Sequence, residues 1–185
     1  MAGGAPTIAH RTMGVEQALP HIPRLRRYAQ LLTGEATRAD DLVQDTLERA
    51  CRKWALWRAP RGDSAPALRA WLLTLMHNLY LNQLRDRRHD DGHEELTTEL
   101  EPQHEPFAHT AERMDLERAL ARVAPLHREV LLLVCVEEFS YEETARILDV
   151  PIGTVMSRLS RAREAIRVLM AQGIAPRARL EVVKR

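Results

Sequence analysis

The chain has little that would let it cross a membrane, staple itself or run a reaction. Its longest apolar run extends only from Val130 to Val136, between Glu129 and Glu137, far short of the roughly 20 residues needed to span a bilayer. The opening stretch MAGGAPTIAHRTMG lacks the apolar core of a secretion signal, so a cytoplasmic protein with a frayed leader over residues 1–14 is expected. Cysteine is scarce: Cys51 and Cys135 stand apart from each other and from any CxxC spacing, which reads as two inert thiols in a reducing compartment. His89, His93, His104 and His109 share one acidic stretch, but a polar tether without cysteine fixes no ligand in space, so neither a metal nor another cofactor is expected. Nothing sets a nucleophile beside a base. Asp40, Asp41 and Asp45 share a helical face without converging histidines, and the expectation is therefore not an enzyme.

What the chain does have is charge sorted by segment. The formal net charge is +1, yet residues 1–88 hold 14 Lys or Arg against 8 Asp or Glu, residues 89–112 hold none against 8, and residues 113–185 hold 13 against 10. Two basic blocks around an acidic one suggest two nucleic-acid-facing domains on an acidic tether. With 185 residues, 45% of them apolar, the chain can bury the cores of one or two small domains.

The most informative stretch is FSYEETARILDVPIGTVMSRLSRAREAIR, Phe139 to Arg167. Ser140 and Glu143 have the capping-box spacing, which predicts a helix start at Ser140. Tyr141, Thr144, Ala145 and Leu148 form its buried stripe, widened by Ile147. Pro151 cannot continue that helix, so it should stop near Asp149. Gly153 and Thr154 then read as a flexible residue and an N-cap for a second helix that buries Val155, Leu159, Ala162, Ile166 and Leu169. Ser157, Arg158, Arg161 and Glu164 lie opposite. Two short helices joined by a tight turn, the second basic on its free face, is the layout that places a helix in the DNA major groove. Arginine suits that role because its fork donates twice to a guanine edge or to a phosphate. A solvated basic helix on an ordinary bundle has the same pattern.

Upstream, Leu19, Ile22, Leu25, Tyr28, Ala29 and Leu32 predict one helix over Val15 to Leu32, ended near Gly34. In Ala39 to Trp57, Leu42, Val43, Thr46, Leu47, Ala50 and Trp54 share one face and Asp41, Gln44, Asp45, Glu48 and Arg52 the other. Residues 58–67 read as a loop. Leu68 to Arg88 is a long helix in which Leu68, Trp71, Leu72, Leu75, Met76, Leu79 and Leu84 bury, while Thr74, His77, Asn78, Asn82 and Arg85 form a polar row suited to base edges. After the acidic stretch, Met114, Leu116, Ala119, Leu120 and Val123 resume the helical pattern, Pro125 breaks it, and Leu126 to Val136 forms the helix beneath the basic one.

The segment LHREVLLLVCVEEFSYEETARILDVPIGTVMSRLSRARE resembles region 4 of the bacterial extracytoplasmic-function sigma factors, with their SYEE-type helix, VPxGT turn and SRLxRAR recognition helix. It departs from the pattern at Asp149, often Gly, and at Met156, often Lys or Arg. ADDLVQDTLERA resembles region 2.2 of the same family, and Leu68 to Arg88 resembles regions 2.3 and 2.4. The resemblance implies an all-α chain of two small helical domains, sigma-2 over 15–88 and sigma-4 with its helix-turn-helix over 113–172. A flexible acidic linker over 89–112 would join them, and a basic tail would follow over 173–185. It implies a factor that binds core RNA polymerase and directs initiation at promoters, reading the −35 element as duplex and the −10 element as melted strand. Asp40, Asp41, Gln44, Asp45 and Glu48 would meet the β′ clamp helices, with the β flap as the polymerase's second contact. His77, Asn78, Asn82, Arg85, Arg87 and Arg88 would meet the −10 strand. The loop Arg58 to Ala67, walled by Trp57 and Trp71, would take a flipped base, with core packing the other role open to Trp71. Tyr141, Glu142, Thr154, Ser157, Arg158, Ser160, Arg161 and Arg163 would read −35. An anti-sigma protein would be a further partner. The rival reading is a stand-alone helix-turn-helix regulator, which would need a dimer interface to span two half-sites; no coiled-coil heptads offer one.

Overall fold

A computed structural model of the chain describes residues 16–58, 64–90 and 111–171, apart from the side chains of 88–90 and 111–114. The described residues are helical throughout their ordered elements and include no strand.

The first half is built on three helices. After helical residues 16–18, a 3-10 turn covers Leu19–His21 and α1 runs Ile22–Thr33. The single helix expected from the spacing is thus interrupted. Pro20 and Pro23 each remove a backbone donor that a continuous helix would use, and each instead sits in the first turn of a new element, where no donor is missed. Gly34 closes α1 at φ 74°, returning its N–H to Gln30 O, the left-handed cap for which glycine is favoured. Helix α2 spans Ala36–Lys53 and ends on Arg52 and Lys53, cations that complement the negative end of its dipole. A 3-10 turn, Trp54–Leu56, follows. Leu42, Val43, Thr46 and Ala50 are buried as their spacing requires, and the Thr46 hydroxyl satisfies itself by donating to Leu42 O at 2.7 Å.

Helix α3 spans Ala65–Asp90, opening three residues ahead of the expected Leu68, whose N–H bonds back to Ser64 O. Leu68, Leu72, Leu75, Met76 and Leu84 are buried as expected, but so are Leu73, His77 and Tyr80. A helix apolar around most of its circumference is one that is covered on more than one side. Here α2 packs on α3 from one direction, and a helix of the second half, Tyr141–Leu148, packs on it from another.

That second half comprises α4 (Ala111–Arg122), α5 (Pro125–Cys135), α6 (Tyr141–Leu148) and α7 (Ile152–Ala171). Pro125 opens α5 at its first position, where its missing N–H costs nothing. Val130, Leu131, Leu132 and Leu133 are all buried because α5 is covered by α7 on one flank and by α1 on another. Fully burying each such side chain is worth about 1.5–3 kcal/mol. The halves are packed together, α1 against α4 and α5 and α3 against α6, so that one apolar cluster runs through both.

Arg128, on α5, is 2% exposed. Its Nη1 donates to Leu32 O at 2.8 Å, and its Nη2 to Ala121 O at 2.6 Å and Val123 O at 2.9 Å. Leu32 and Ala121 lie in the last turns of α1 and α4, where helical carbonyls have no partner of their own. One guanidinium therefore caps two helices, and the negative ends of their dipoles offset its charge. Burial nonetheless draws the Arg128 pKa below its ordinary value, opposed by nearby Tyr80.

Candidate nucleic-acid and polymerase interfaces

The α6–α7 pair is assembled by local rules. Ser140 Oγ accepts from the Glu143 N–H at 3.2 Å while Ser140 N–H donates to Glu143 Oε2 at 2.9 Å, the reciprocal box the spacing predicts. Asp149 ends α6 in the left-handed region at φ 50°, which explains why glycine suits that position elsewhere in the pattern and why aspartate is tolerated there. One expectation needs correction: α7 begins at Ile152, so Gly153 and Thr154 lie inside its first turn and Thr154 is no N-cap. Its N–H bonds to Pro151 O at 2.8 Å. A Cβ at Gly153 would meet nothing within 4 Å, so packing does not demand glycine there.

Val155, Leu159 and Ala162 are buried beneath α7, while Ser157, Ser160, Arg161 and Arg163 are exposed and Thr154 and Arg158 half-buried on its outer side. Glu142 is exposed and Tyr141 half-buried at the neighbouring end of α6. Tyr141, Met156, Ser160 and Arg163 line a groove of about 470 Å³ between the two helices. Met156 is 54% exposed, an apolar spot on an otherwise polar face. The arginines are not equivalent. Arg167 is engaged by Glu164 in a two-pronged pair at 2.9 and 2.6 Å, whereas Arg161 and Arg158 crowd His127 of α5. Burial first, then Arg161 and Arg158, holds the His127 pKa below the usual imidazole value. A field that discourages a proton on His127 is a field that attracts phosphate.

On α2, Asp41, Gln44, Asp45 and Glu48 form the expected exposed row. Asp40 is also exposed and pairs with Arg26 at 2.7 Å, and Glu48 pairs with Arg52 at 3.0 Å. Such exposed pairs contribute little to stability and leave the row open to a partner. Val43, Leu47 and Cys51 floor a groove of about 580 Å³ whose rim carries Asp40, Gln44, Glu48 and the Arg52 that pairs with Glu48. An apolar floor with an acidic rim fits a partner surface that is both basic and apolar.

The expected −10 row divides. Asn78, Asn82 and Arg85 are exposed on α3 and Arg87 is half-buried; the Arg88 side chain lies outside the described residues. Asn78 Nδ2 donates to Thr74 O at 2.8 Å. His77 is not on that surface. It is 5% exposed, with Nδ1 2.8 Å from Glu129 Oε1 of α5, because the second half covers that side of α3. Half of the loop expected to hold a flipped base, residues 59–63, lies outside the described residues. Of its walls, Trp71 packs against Trp57 at 5.3 Å and edge-on against Trp54 at 5.8 Å between ring centroids.

Between the halves lies a charged seam that helical periodicity does not announce. Glu137, 2% exposed, accepts from Arg24 Nε at 2.7 Å and lies 3.6 Å from Arg69 Nη1. Arg69 also stacks over the Phe139 ring at 4.5 Å; burial, then the neighbouring Arg24, lowers its pKa. Tyr28 is buried beside Glu129, Tyr80 and Glu137, and burial with those neighbours pushes its hydroxyl pKa well up. Tyr80 is pushed up to about 12, chiefly by burial. The one sequence signal for the seam was that the apolar run of α5 is bracketed by Glu129 and Glu137.

Among the described residues no group of three or more His, Cys, Asp or Glu side chains is placed to hold a metal. No helix among them is long and apolar enough to cross a membrane.

Comparison with known proteins gives these surfaces a context. A family profile described as the Sigma2 domain of PhyR matches residues 18–77, and one described as Sigma-70, region 4 matches residues 113–166. The chain is 36% identical over 157 residues to the ECF RNA polymerase sigma factor EcfG of Rhodopseudomonas palustris, covering 84% of this chain and 83% of that one. It is 32% identical to the ECF RNA polymerase sigma factor SigL of Mycobacterium tuberculosis, covering 82% and 85%. Among solved structures, it resembles the sigma factor RpoE of Bartonella quintana in complex with the anti-sigma factor NepR, with TM-score 0.68, 31% identity and coverage of 85% and 96%. It also resembles the PhyRSL–NepR complex from Sphingomonas sp. Fr1, with TM-score 0.56, 28% identity and coverage of 89% and 94%.

Proposed function

The chain belongs to the extracytoplasmic-function RNA polymerase sigma factors, and from that premise we propose how its surfaces divide the work of bringing core RNA polymerase to a promoter. The acidic row Asp40, Asp41, Gln44, Asp45 and Glu48 docks on the β′ clamp helices, using the apolar floor of its groove for affinity and the carboxylates for register. The α7 face, Thr154, Ser157, Arg158, Ser160, Arg161 and Arg163, with Tyr141 and Glu142 of α6, reads the −35 duplex from the major groove. On α3, Asn78, Asn82 and Arg85, with Arg87 and Arg88, meet the −10 strand once it is melted. Stacking lost when a base is extruded, a few kcal/mol, is recovered in the loop beside Trp57. The two functional units are 15–88 and 113–172, and residues 89–112 connect them. This is a binding and positioning role, and the chain supplies no catalytic group of its own.

The observation that carries the assignment is the separation of roles on α7: Val155, Leu159 and Ala162 are buried while Ser157, Ser160 and Arg161 stand outward. That exposure supports the proposal, since it leaves the polar side of α7 free for DNA. An anti-sigma protein of the kind bound by the Bartonella relative is the partner we propose for the resting cell, covering the polymerase-binding and DNA-binding faces. Run-off transcription with core polymerase over a promoter library tests the assignment: the chain should select a promoter subset with a shared −35 element. Library-wide transcription no different from core alone would overturn it.

A further inference from the structure

One side chain on the outer side of α7 has no part in the contacts proposed above for the −35 duplex, and the inference about it rests on that reading. Met156 is 54% exposed and is the fifth residue of α7, which begins at Ile152. Helices that enter the major groove touch base edges with their N-terminal residues, so from this position bases are in reach as well as phosphates. Ser160 and Arg163 follow one and two turns on and line the same groove, together with Tyr141 of α6. Ile152, one turn before Met156, is 42% exposed and extends the apolar edge toward the start of the helix.

Packing does not account for a methionine there. The core beneath α7 is made by Val155, Leu159 and Ala162, and Met156 lies outside it. Single exposed apolar residues are ordinary on protein surfaces, but this one stands among Ser157, Ser160 and Arg161, all exposed, on the face proposed to meet DNA. In the region 4 pattern that the segment resembles, the position often holds Lys or Arg. A cation gains from any phosphate, whatever the sequence. A thioether does not, because it donates no hydrogen bond and accepts only weakly. What it can gain on DNA is apolar contact, and the apolar group that base pairs present in the major groove is the C5-methyl of thymine. Methionine's three rotatable bonds let its end reach that group over a range of helix placements.

We propose that Met156 is a specificity-determining residue for the −35 element, its side chain packing on the C5-methyl of one thymine in the major groove. A contact to phosphate, blind to sequence, is thereby replaced by one that depends on an A·T pair and on which strand carries the thymine. Ser157 and Arg161 project from neighbouring positions of the same face and supply hydrogen bonds to base edges or phosphates. Met156 recognises the feature that they cannot, a group with neither donor nor acceptor.

The test uses the full-length chain with core polymerase and a promoter selected from the run-off library. Each thymine of the −35 element, on either strand, is replaced in turn by deoxyuridine, which removes the methyl and keeps the pairing edge. For the wild type, one position or two adjacent ones should lose about fourfold in affinity of the promoter complex, the equivalent of one buried methyl group, and the other positions should not change. Met156→Ala should bind the all-thymine promoter about fourfold more weakly and be indifferent to deoxyuridine. Met156→Leu, apolar and of similar volume, should keep most of the deoxyuridine effect. Met156→Lys should lose that effect while its affinity falls more steeply with salt, the slope of log K against log salt changing by about 0.9 for one added phosphate contact. Because the side chain is exposed, helicity by circular dichroism should be the same for all four proteins. A −35 element without an A·T pair, no penalty at any thymine in the wild type, or a penalty that persists unchanged in Met156→Ala would each overturn the role of Met156 and leave the −35 assignment standing. A wild-type chain that selects no −35 element with core polymerase would overturn the assignment itself, and this inference with it.

Discussion

Replacing Arg128 with methionine should be among the most damaging single changes in this protein. The side chain keeps its length and apolar stem but withdraws three donors from Leu32 O, Ala121 O and Val123 O, which lie 2.6–2.9 Å away. A hydrogen bond to a charged group contributes about 1.5–3 kcal/mol net. Three in full would exceed the usual range, but burying a guanidinium costs several kcal/mol, and the variant recovers that cost. What remains is the penalty of stripping buried carbonyls at two helix ends, about 1–3 kcal/mol for each left unpaired; Leu32 O keeps only the Tyr80 hydroxyl at 3.5 Å, so the loss should be about 3–5 kcal/mol. Against a total stability of about 5–15 kcal/mol that is a large fraction, and at about 2–4 °C per kcal/mol the melting temperature should fall by about 6–20 °C. Urea and thermal unfolding followed by circular dichroism measure it. Arg128→Lys, which keeps the charge but cannot span three carbonyls, should fall between. A loss for Arg128→Met below about 1 kcal/mol would refute the argument that this arginine caps α1 and α4.

Further changes probe three separate parts of the molecule. Arg161→Ala, and to a smaller degree Arg158→Ala, should weaken −35 recognition by about 1–3 kcal/mol each through lost base contacts; an unchanged −35 selectivity with a reduced salt slope would reassign them to phosphate. Asp45→Lys, on the exposed α2 row, should lower affinity for core polymerase in a pull-down or fluorescence titration while leaving circular dichroism unaltered, and undiminished affinity would sink the clamp-binding role. Ser140→Ala should cost about 1 kcal/mol, and the Glu143 half of the same box should titrate. The Ser140 backbone N–H, foremost, holds the Glu143 pKa below the ordinary carboxylate value, so the folded state binds fewer protons than the unfolded one. The stability gap between wild type and Glu143→Gln should therefore be full above the ordinary carboxylate pKa and vanish as pH falls through the lowered one; a gap that widened in acid would reverse the sign and discard the box as its source.

What could be read ahead of the structure was what is decided locally. The Ser140 capping box, the buried stripe of α7 and the exposed acids of α2 each depend on residues within a turn or two, and each was legible from spacing alone. Asp149 as the end of α6 was legible too, since Pro151 forbids continuation. Errors arose where neighbours distant in sequence decide. His77 looked like part of a wet row because its partner, Glu129, is 52 residues away. The same applies to Leu73 and Tyr80, whose burial requires a second half packed on α3. Arg128 reaches 96 residues to Leu32, and Glu137 reaches 113 to Arg24; no periodicity encodes such pairs. Thr154 was misread as a cap because a Gly-Thr pair after a proline resembles a helix entry, whereas the Pro151 carbonyl already starts the helix.

The central claim is that this chain reads a promoter only as part of the polymerase. On the proposed assignment its free surfaces would offer few phosphate contacts, weakening steeply with salt, and the α3 amides would reach base edges well only on separated strands. An electrophoretic shift on a selected promoter at about 150 mM salt, where such contacts are much weakened, puts this to the test. The full-length chain alone should give no specific complex, and adding core polymerase should give a sequence-specific open complex with reactive thymines at the −10 element. Tight, sequence-specific binding of intact duplex by the chain without polymerase would contradict the account.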